Sequence, residues 1–167
     1  MATRKEVIKQ GVCSWIFTVS NNPNAKGDAP WYESSGFSQV NTHSAIIDKV
    51  AMEKGVDARL IKAIMFMETT HGYYDAPLSL VGANKSILPM NINVTYWGDT
   101  FGTREELLKP EPNIRAGAEM IFRIQANMPG EKIEKIATLY NNINAITVND
   151  YGMRVKKIYD DQPWISK

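Results

Sequence analysis

Val56-Asp57-Ala58-Arg59-Leu60-Ile61-Lys62-Ala63-Ile64-Met65-Phe66-Met67-Glu68-Thr69-Thr70 is the stretch on which the reading of this chain turns. Asp57 is placed to cap a helix by accepting a bond from a free backbone N–H of the first turn. Ile61 and Ile64 precede Glu68 by seven and four residues, so the three share one helical stripe. That stripe is expected to face the core. Glu68 is the one acid in the run from Leu60 to Thr70. A carboxyl group held against Ile, Met and Phe loses hydration, which penalises its charged form. The sequence therefore predicts a raised pKa and a proton donor near neutral pH, as a general acid requires. The plainer alternative is an acid that turns outward at the helix mouth or pairs with a distant Arg, since carboxylates are seldom buried without a partner.

Helical signals continue on both sides of this run. Upstream, Thr3-Arg4-Lys5-Glu6 fits a capping box, and Val7, Ile8, Val12, Trp15, Ile16 and Val19 fall on helical spacing. An amphipathic first helix retained in the mature protein is expected, rather than a signal peptide, because Glu6 interrupts the basic part. Residues 20–41 are rich in Asn, Ser, Gly and Pro and read as a long loop. A helix then starts at Asn41-Thr42-His43 with Ala45, Ile46, Val50 and Ala51 inward, and Gly55 stops it.

Downstream, residues 71–102 read as irregular, with room for a small hairpin between 72 and 98. Thr103-Arg104-Glu105-Glu106 is a second capping box. Pro112 suits the first turn of a helix carrying Ile114, Ala118, Ile121 and Phe122, which Pro129-Gly130 ends. Glu131 to Asn142 form a further helix, and Asn149 or Asp150 caps a last one. The expected fold class is all-α, or α+β with a minimal hairpin. Residues 1–41 form an N-terminal helix and loop packed on or flanking a domain of 42–167.

Composition narrows the function classes. A formal net charge of +1 lacks the basic excess of a nucleic-acid binder. No run approaches the length of a membrane span. The single cysteine, Cys13, cannot form an intrachain disulfide. His43 and His71 are the only histidines and no Cys/His ligand set exists, so neither a metal nor another cofactor is expected. No nucleophile elbow is visible for a Ser-His-Asp arrangement.

Four segments, in order, carry a resemblance. They are Val56 to Ile64 leading to Met67-Glu68-Thr69; Gly82-Ala83 followed by Met90-Asn91-Ile92-Asn93 and Thr95; Leu108-Lys109-Pro110-Glu111-Pro112-Asn113-Ile114-Arg115-Ala116-Gly117-Ala118; and Ile136-Ala137-Thr138-Leu139-Tyr140-Asn141-Asn142. Together they resemble the lytic transglycosylase domain of the soluble type, a branch of the lysozyme-like α fold, over about residues 45–160. The family shows a helix ending in Glu-Ser, then Gly-Ala-x-Gly-Leu-Met-Gln-Ile, Pro-Glu-x-Asn-Ile-x-x-Gly and Ala-x-x-Tyr-Asn-Ala-Gly. The third segment is the most specific match. This chain departs at Thr69 for Ser, at Asn91 for Gln with extra residues 85–88 before it, and at Ile143 where the family has glycine.

The resemblance implies a lysozyme-like helical domain with a substrate cleft, and cleavage of the β-1,4 bond between N-acetylmuramic acid and N-acetylglucosamine in peptidoglycan. Glu68 is implied as the acid and base. Tyr140 is implied near it, holding the carboxyl or the N-acetyl group; otherwise it is a core tyrosine. Asn91, with Met90 and Asn141 in the matched segments, is expected to line the substrate side. Thr69 bonds either Glu68 or substrate, or merely closes its helical turn. Tyr73, Tyr74, Tyr96 and Trp97 are candidate platforms for sugar rings or ordinary packing residues. Glu111 and Asn113 read as scaffold.

Two rivals stay open. An inverting hydrolase needs a second carboxylate about 6.5–9.5 Å from the first, with Asp75 and Asp99 as candidates. A non-catalytic glycan-binding or structural module of a phage tail or secretion machine needs no chemistry at all. The expected partners are peptidoglycan glycan strands and an immunity protein that plugs the cleft. Such a protein would be made in a bacterial cytoplasm without a clear signal peptide. It would act in the periplasm as an antibacterial toxin delivered by a secretion system, or as a phage enzyme.

Overall fold

The computed structural model describes residues 1–13, 15–28, 36–80, 86–87 and 89–165; for 36–38, 70–80 and 86–87 it describes the backbone only. Among the described residues the chain is helical apart from one two-residue hairpin and its connections. The helices are α1 (Arg4–Gln10), α2 (Gly36–Thr42), α3 (Ser44–Lys54), α4 (Ala58–Leu80), α5 (Val94–Phe101), α6 (Arg104–Leu107), α7 (Pro110–Ala126), α8 (Ile133–Asn141) and α9 (Asp150–Asp161). β1 (Ser86–Ile87) pairs antiparallel with β2 (Ile92–Asn93), within the stretch where a hairpin was expected. No helix of the described residues is long and apolar enough to cross a membrane.

Several boundaries follow from local chemistry. Asp57 Oδ1 accepts the Arg59 N–H at 2.8 Å and so caps α4. Reciprocal capping boxes open α1 at Thr3/Glu6 and α6 at Thr103/Glu106, and Asn149 caps α9. Gly55 ends α3 in the left-handed conformation.

α4 is the central helix. Leu60, Ile61 and the run from Ala63 to Met67 are all buried, which is burial around most of the helix rather than along one stripe. It packs against α2, α3 and α9, while α8 lies along α9 and α7 against α3 and α8. α8 and α9 meet tightly at Gly152, where a Cβ would lie 2.1 Å from Thr138 Oγ1 and 2.3 Å from the Glu134 carbonyl oxygen.

Five sequence expectations are corrected. The first helix does not run to Val19. It ends at Gly11 (φ 69°), whose N–H donates to the Val7 and Ile8 carbonyls, and Arg123 Nη1 donates to the Ile8 and Lys9 carbonyls of the last turn. The described residues beyond it up to Val19 are not helical, and Phe17 and Val19 are buried. The loop of 20–41 is shorter than expected, because α2 already begins at Gly36. α3 turns Ile47 inward, whereas Ala45 is exposed and Ile46 half-buried. α4 continues through Gly72 and Pro77 to Leu80, so Glu68 lies mid-helix. Gly72 and Pro77 carry local helix penalties of about 1 and about 3 kcal/mol, which is why the sequence reads as irregular there; α4 as a whole packs against α2 and α9. On α7, Phe122 is exposed.

The N-terminal segment packs on the rest of the domain. Arg4 Nη1 donates to the Ile143 and Ala145 carbonyls and Nη2 to that of Thr18. Ser20 bridges to Thr147, donating to the Ile146 carbonyl and accepting from the Val148 N–H. Lys26 N–H donates to Asp150 Oδ1 at the start of α9.

Candidate active site

Three segments converge on Glu68. α4 supplies the acid, which is 4% exposed. α9 supplies Tyr151, whose hydroxyl donates to Glu68 Oε1 at 2.5 Å. The turn before β2 supplies Asn91, whose Nδ2 donates to Oε2 at 2.7 Å. Burying an ionised carboxylate costs several kcal/mol even after relaxation. Donors on both oxygens oppose that cost, because hydrogen bonds to the charged form favour it.

The turn that presents Asn91 is anchored on every side. The Met90 N–H donates to Asn113 Oδ1 (2.9 Å), and the Met90 carbonyl accepts the Tyr140 hydroxyl (2.8 Å). The Met90 side chain is fully buried against Gly117, where a Cβ would come within 2.7 Å of its methyl carbon. Asn113 Nδ2 also donates to the Leu107 carbonyl, joining this turn to the end of α6. Glu111 is held by Lys49 and Arg115. Both residues are scaffold, as their sequence context suggested.

A groove runs away from the acid. One cavity of about 150 Å³ is lined by Glu68, Asn91, Asn93, Trp97, Tyr140 and Asn141, among others. A second, of about 250 Å³, shares Asn93, Trp97, Tyr140 and Asn141 and continues past Tyr96 to Asn142 and Asn144. Glu68 is the one carboxyl, and there is no Lys, Arg or His, among the described lining residues. The rest of the wall is amide, aromatic or aliphatic. Side-chain amides offer a donor and an acceptor without charge, and aromatic faces offer apolar contact. Such a wall suits an uncharged, hydroxyl- and amide-bearing ligand.

The expected site residues divide clearly. Glu68, Asn91, Asn141 and Tyr140 come together on the first cavity, and Tyr96 and Trp97 extend the wall. Lys5 Nζ lies 3.5 Å from the centroid of the Tyr96 ring, so one face of that ring is already engaged. Asn141 Oδ1 accepts from Asn149 Nδ2. The Tyr140 hydroxyl donates not to the carboxyl but to the Met90 carbonyl, beside Asn91.

The Met90 side chain lines neither cavity; it fills the core. Thr69 does not bond Glu68; its hydroxyl donates back to the Met65 and Phe66 carbonyls of its own helix. Asp99 is not a second carboxylate beside Glu68. Its side chain is 71% exposed, is paired with Lys9 at 2.7 Å and lines neither cavity. The side chains of Tyr73 and Asp75 lie outside the described residues.

Tyr151 is the residue that sequence reasoning missed. It sits with Val155 and Ile158 on the buried face of α9, at helical spacing, which marks it as inward-facing. Nothing in the sequence says that this face meets Glu68. That follows only from the packing of α9 on α4.

Burial, reinforced by the nearby Glu68 carboxyl, pushes the hydroxyls of Tyr140 and Tyr151 well above the usual tyrosine range. Both therefore stay neutral donors. In the unfolded chain they ionise near pH ~10, whereas in the folded chain they do not. Their contribution to stability is thus complete below that pH and lost as pH climbs toward the folded values. Ultraviolet titration is expected to show that Tyr140 and Tyr151, among the seven tyrosines of the chain, resist ionisation until the chain unfolds in alkali. Tyr140→Phe and Tyr151→Phe should each remove one of the two. Seven tyrosines ionising together in the folded protein would contradict this geometry.

No protein family, curated protein or solved structure matches the chain.

Proposed function

We propose that this protein is a peptidoglycan-cleaving lytic transglycosylase that cuts the β-1,4 bond between N-acetylmuramic acid and N-acetylglucosamine, with Glu68 as its general acid and base. The observation that carries this reading is the buried Glu68 carboxyl, held on both oxygens, at one end of a groove walled by Asn91, Asn93, Asn141, Asn142 and Asn144. The four-segment resemblance points the same way.

In this reading Glu68 gives its proton to the bridging oxygen as the bond to the muramyl anomeric carbon breaks. The substrate's own acetamido oxygen stabilises the cationic centre. The Glu68 carboxylate then takes the proton of the muramyl 6-hydroxyl, whose oxygen closes on the anomeric carbon. The product is a 1,6-anhydro ring, no water is consumed, and Glu68 ends protonated as it began. One carboxyl suffices because the nucleophile comes from the substrate. Proton transfer of this kind contributes on the order of 10²–10⁴-fold.

Digestion of purified sacculi in heavy-oxygen water, followed by mass spectrometry of the fragments, tests the reaction type. The expected fragments end in 1,6-anhydromuramic acid and carry no heavy oxygen. Reducing ends carrying one heavy oxygen would instead mean hydrolysis, and would direct attention to a second carboxylate. Intact sacculi would leave a glycan-binding module.

A further inference from the structure

The two oxygens of Glu68 occupy different surroundings. Oε1 accepts from Tyr151, which is buried and lines neither cavity. Oε2 accepts from Asn91, which is half-buried and forms part of the cavity wall. Asn91 therefore stands at the boundary between the acid and the groove.

Its placement is imposed by the turn. The backbone of Met90 is held at its N–H by Asn113 and at its carbonyl by Tyr140. β2 begins at the next residue, Ile92. Between these fixed points Asn91 adopts φ 57°, a left-handed conformation that it shares, among described non-glycine residues, only with Gln162. Asparagine tolerates this conformation better than most residues, and the surrounding bonds over-determine it. The outcome is a side-chain amide aimed at one carboxyl oxygen.

We infer that Asn91 is a positioning residue whose amide selects Oε2 as the groove-facing oxygen of Glu68 and sets how tightly that carboxyl holds a proton. The catalytic consequence rests on the proposed role of Glu68 as an acid. An N–H donated to Oε2 favours the carboxylate. A ligand that enters the groove with an amide carbonyl or hydroxyl oxygen competes for that same N–H. When it takes the N–H, the carboxylate loses a donor and its affinity for a proton rises, the proton coming from solvent. Ligand entry thus arms the acid, and an empty site stays disarmed.

The test is a carbon-13 NMR titration of the Glu68 carboxyl, its signal assigned by loss in Glu68→Gln. Asn91→Gly removes the amide, and glycine adopts φ 57° without strain. Its titration midpoint should rise on the order of one pH unit above wild type. Asn91→Asp, which sets a second carboxyl beside the first, should raise it further. The alkaline limb of kcat/KM for peptidoglycan should move upward in step. A merely structural role for Asn91 would not order the three proteins in this way. A midpoint for Asn91→Gly equal to wild type would overturn the inference. If wild type turns over no peptidoglycan, the reading of Glu68 as an acid fails, while the titration still decides what Asn91 does to it.

Discussion

Glu68→Gln is expected to lower peptidoglycan turnover by about 10²–10⁴-fold, the range that general acid–base assistance supplies. Glutamine keeps the volume of the side chain but cannot deliver a proton. The fold should survive. The substituted amide can still accept from Asn91 Nδ2, and the Tyr151 hydroxyl can turn to accept where it formerly donated. The melting temperature should therefore shift by no more than a few degrees. Turbidity loss of sacculi and a thermal melt, measured on the same preparation, separate the two effects. A rate loss below about tenfold would place the chemistry on another group.

The largest effect on stability is expected far from any substrate, at Gly152→Ala. The added methyl would lie 2.1 Å from Thr138 Oγ1 and 2.3 Å from the Glu134 carbonyl oxygen. The second of these is backbone and cannot rotate aside. Thr138 is itself engaged, donating to Glu134 O at 2.7 Å and lying 3.2 Å from the Asn149 side chain that caps α9. α8 and α9 must therefore separate. Overpacking a tight contact commonly costs about 1–3 kcal/mol, and a backbone clash puts this site at about 3. For a domain of this size that is a drop in melting temperature of roughly 6–12 °C. Activity should fall as well, because residue 152 follows Tyr151 and a displaced α9 withdraws the hydroxyl from Glu68. A melting temperature within about two degrees of wild type would mean that the α8–α9 contact is looser than described.

The parts of this structure that were legible in the sequence are those decided within a few residues. The Thr3/Glu6 and Thr103/Glu106 boxes, the Asp57 and Asn149 caps and the Gly55 stop each involve groups at most three positions apart, or a single glycine. Glu68 was legible because a lone acid in an apolar helix has few reasons to be there. What escaped depends on partners distant in sequence. The end of α1 is set jointly by Gly11 and by Arg123. α4 persists through Gly72 and Pro77 among the helices packed around it. Asp99 looked free to join the acid until Lys9 was found beside it. Tyr151 carried the right spacing for burial but no sign of its neighbour. Tyr140 was expected to hold the carboxyl or the N-acetyl group, or else to be a core tyrosine; it is buried and its hydroxyl holds the turn that carries Asn91. Periodicity placed Glu68, Val155 and Ile158 inward but misplaced Ala45 and Phe122, and the identity of the atoms a buried side chain meets is fixed only when the helices pack.

The central claim is spatial: a glycan lies in the groove with its bridging oxygen on the side chain of residue 68. A crystal structure of the Glu68→Gln protein with an uncleaved peptidoglycan tetrasaccharide tests it most directly. The predicted result is a scissile oxygen about 3 Å from that side chain, with the sugars running along Tyr140 and Asn141 toward Tyr96 and Asn144. A saccharide bound elsewhere on the protein, with the groove left empty, would contradict it.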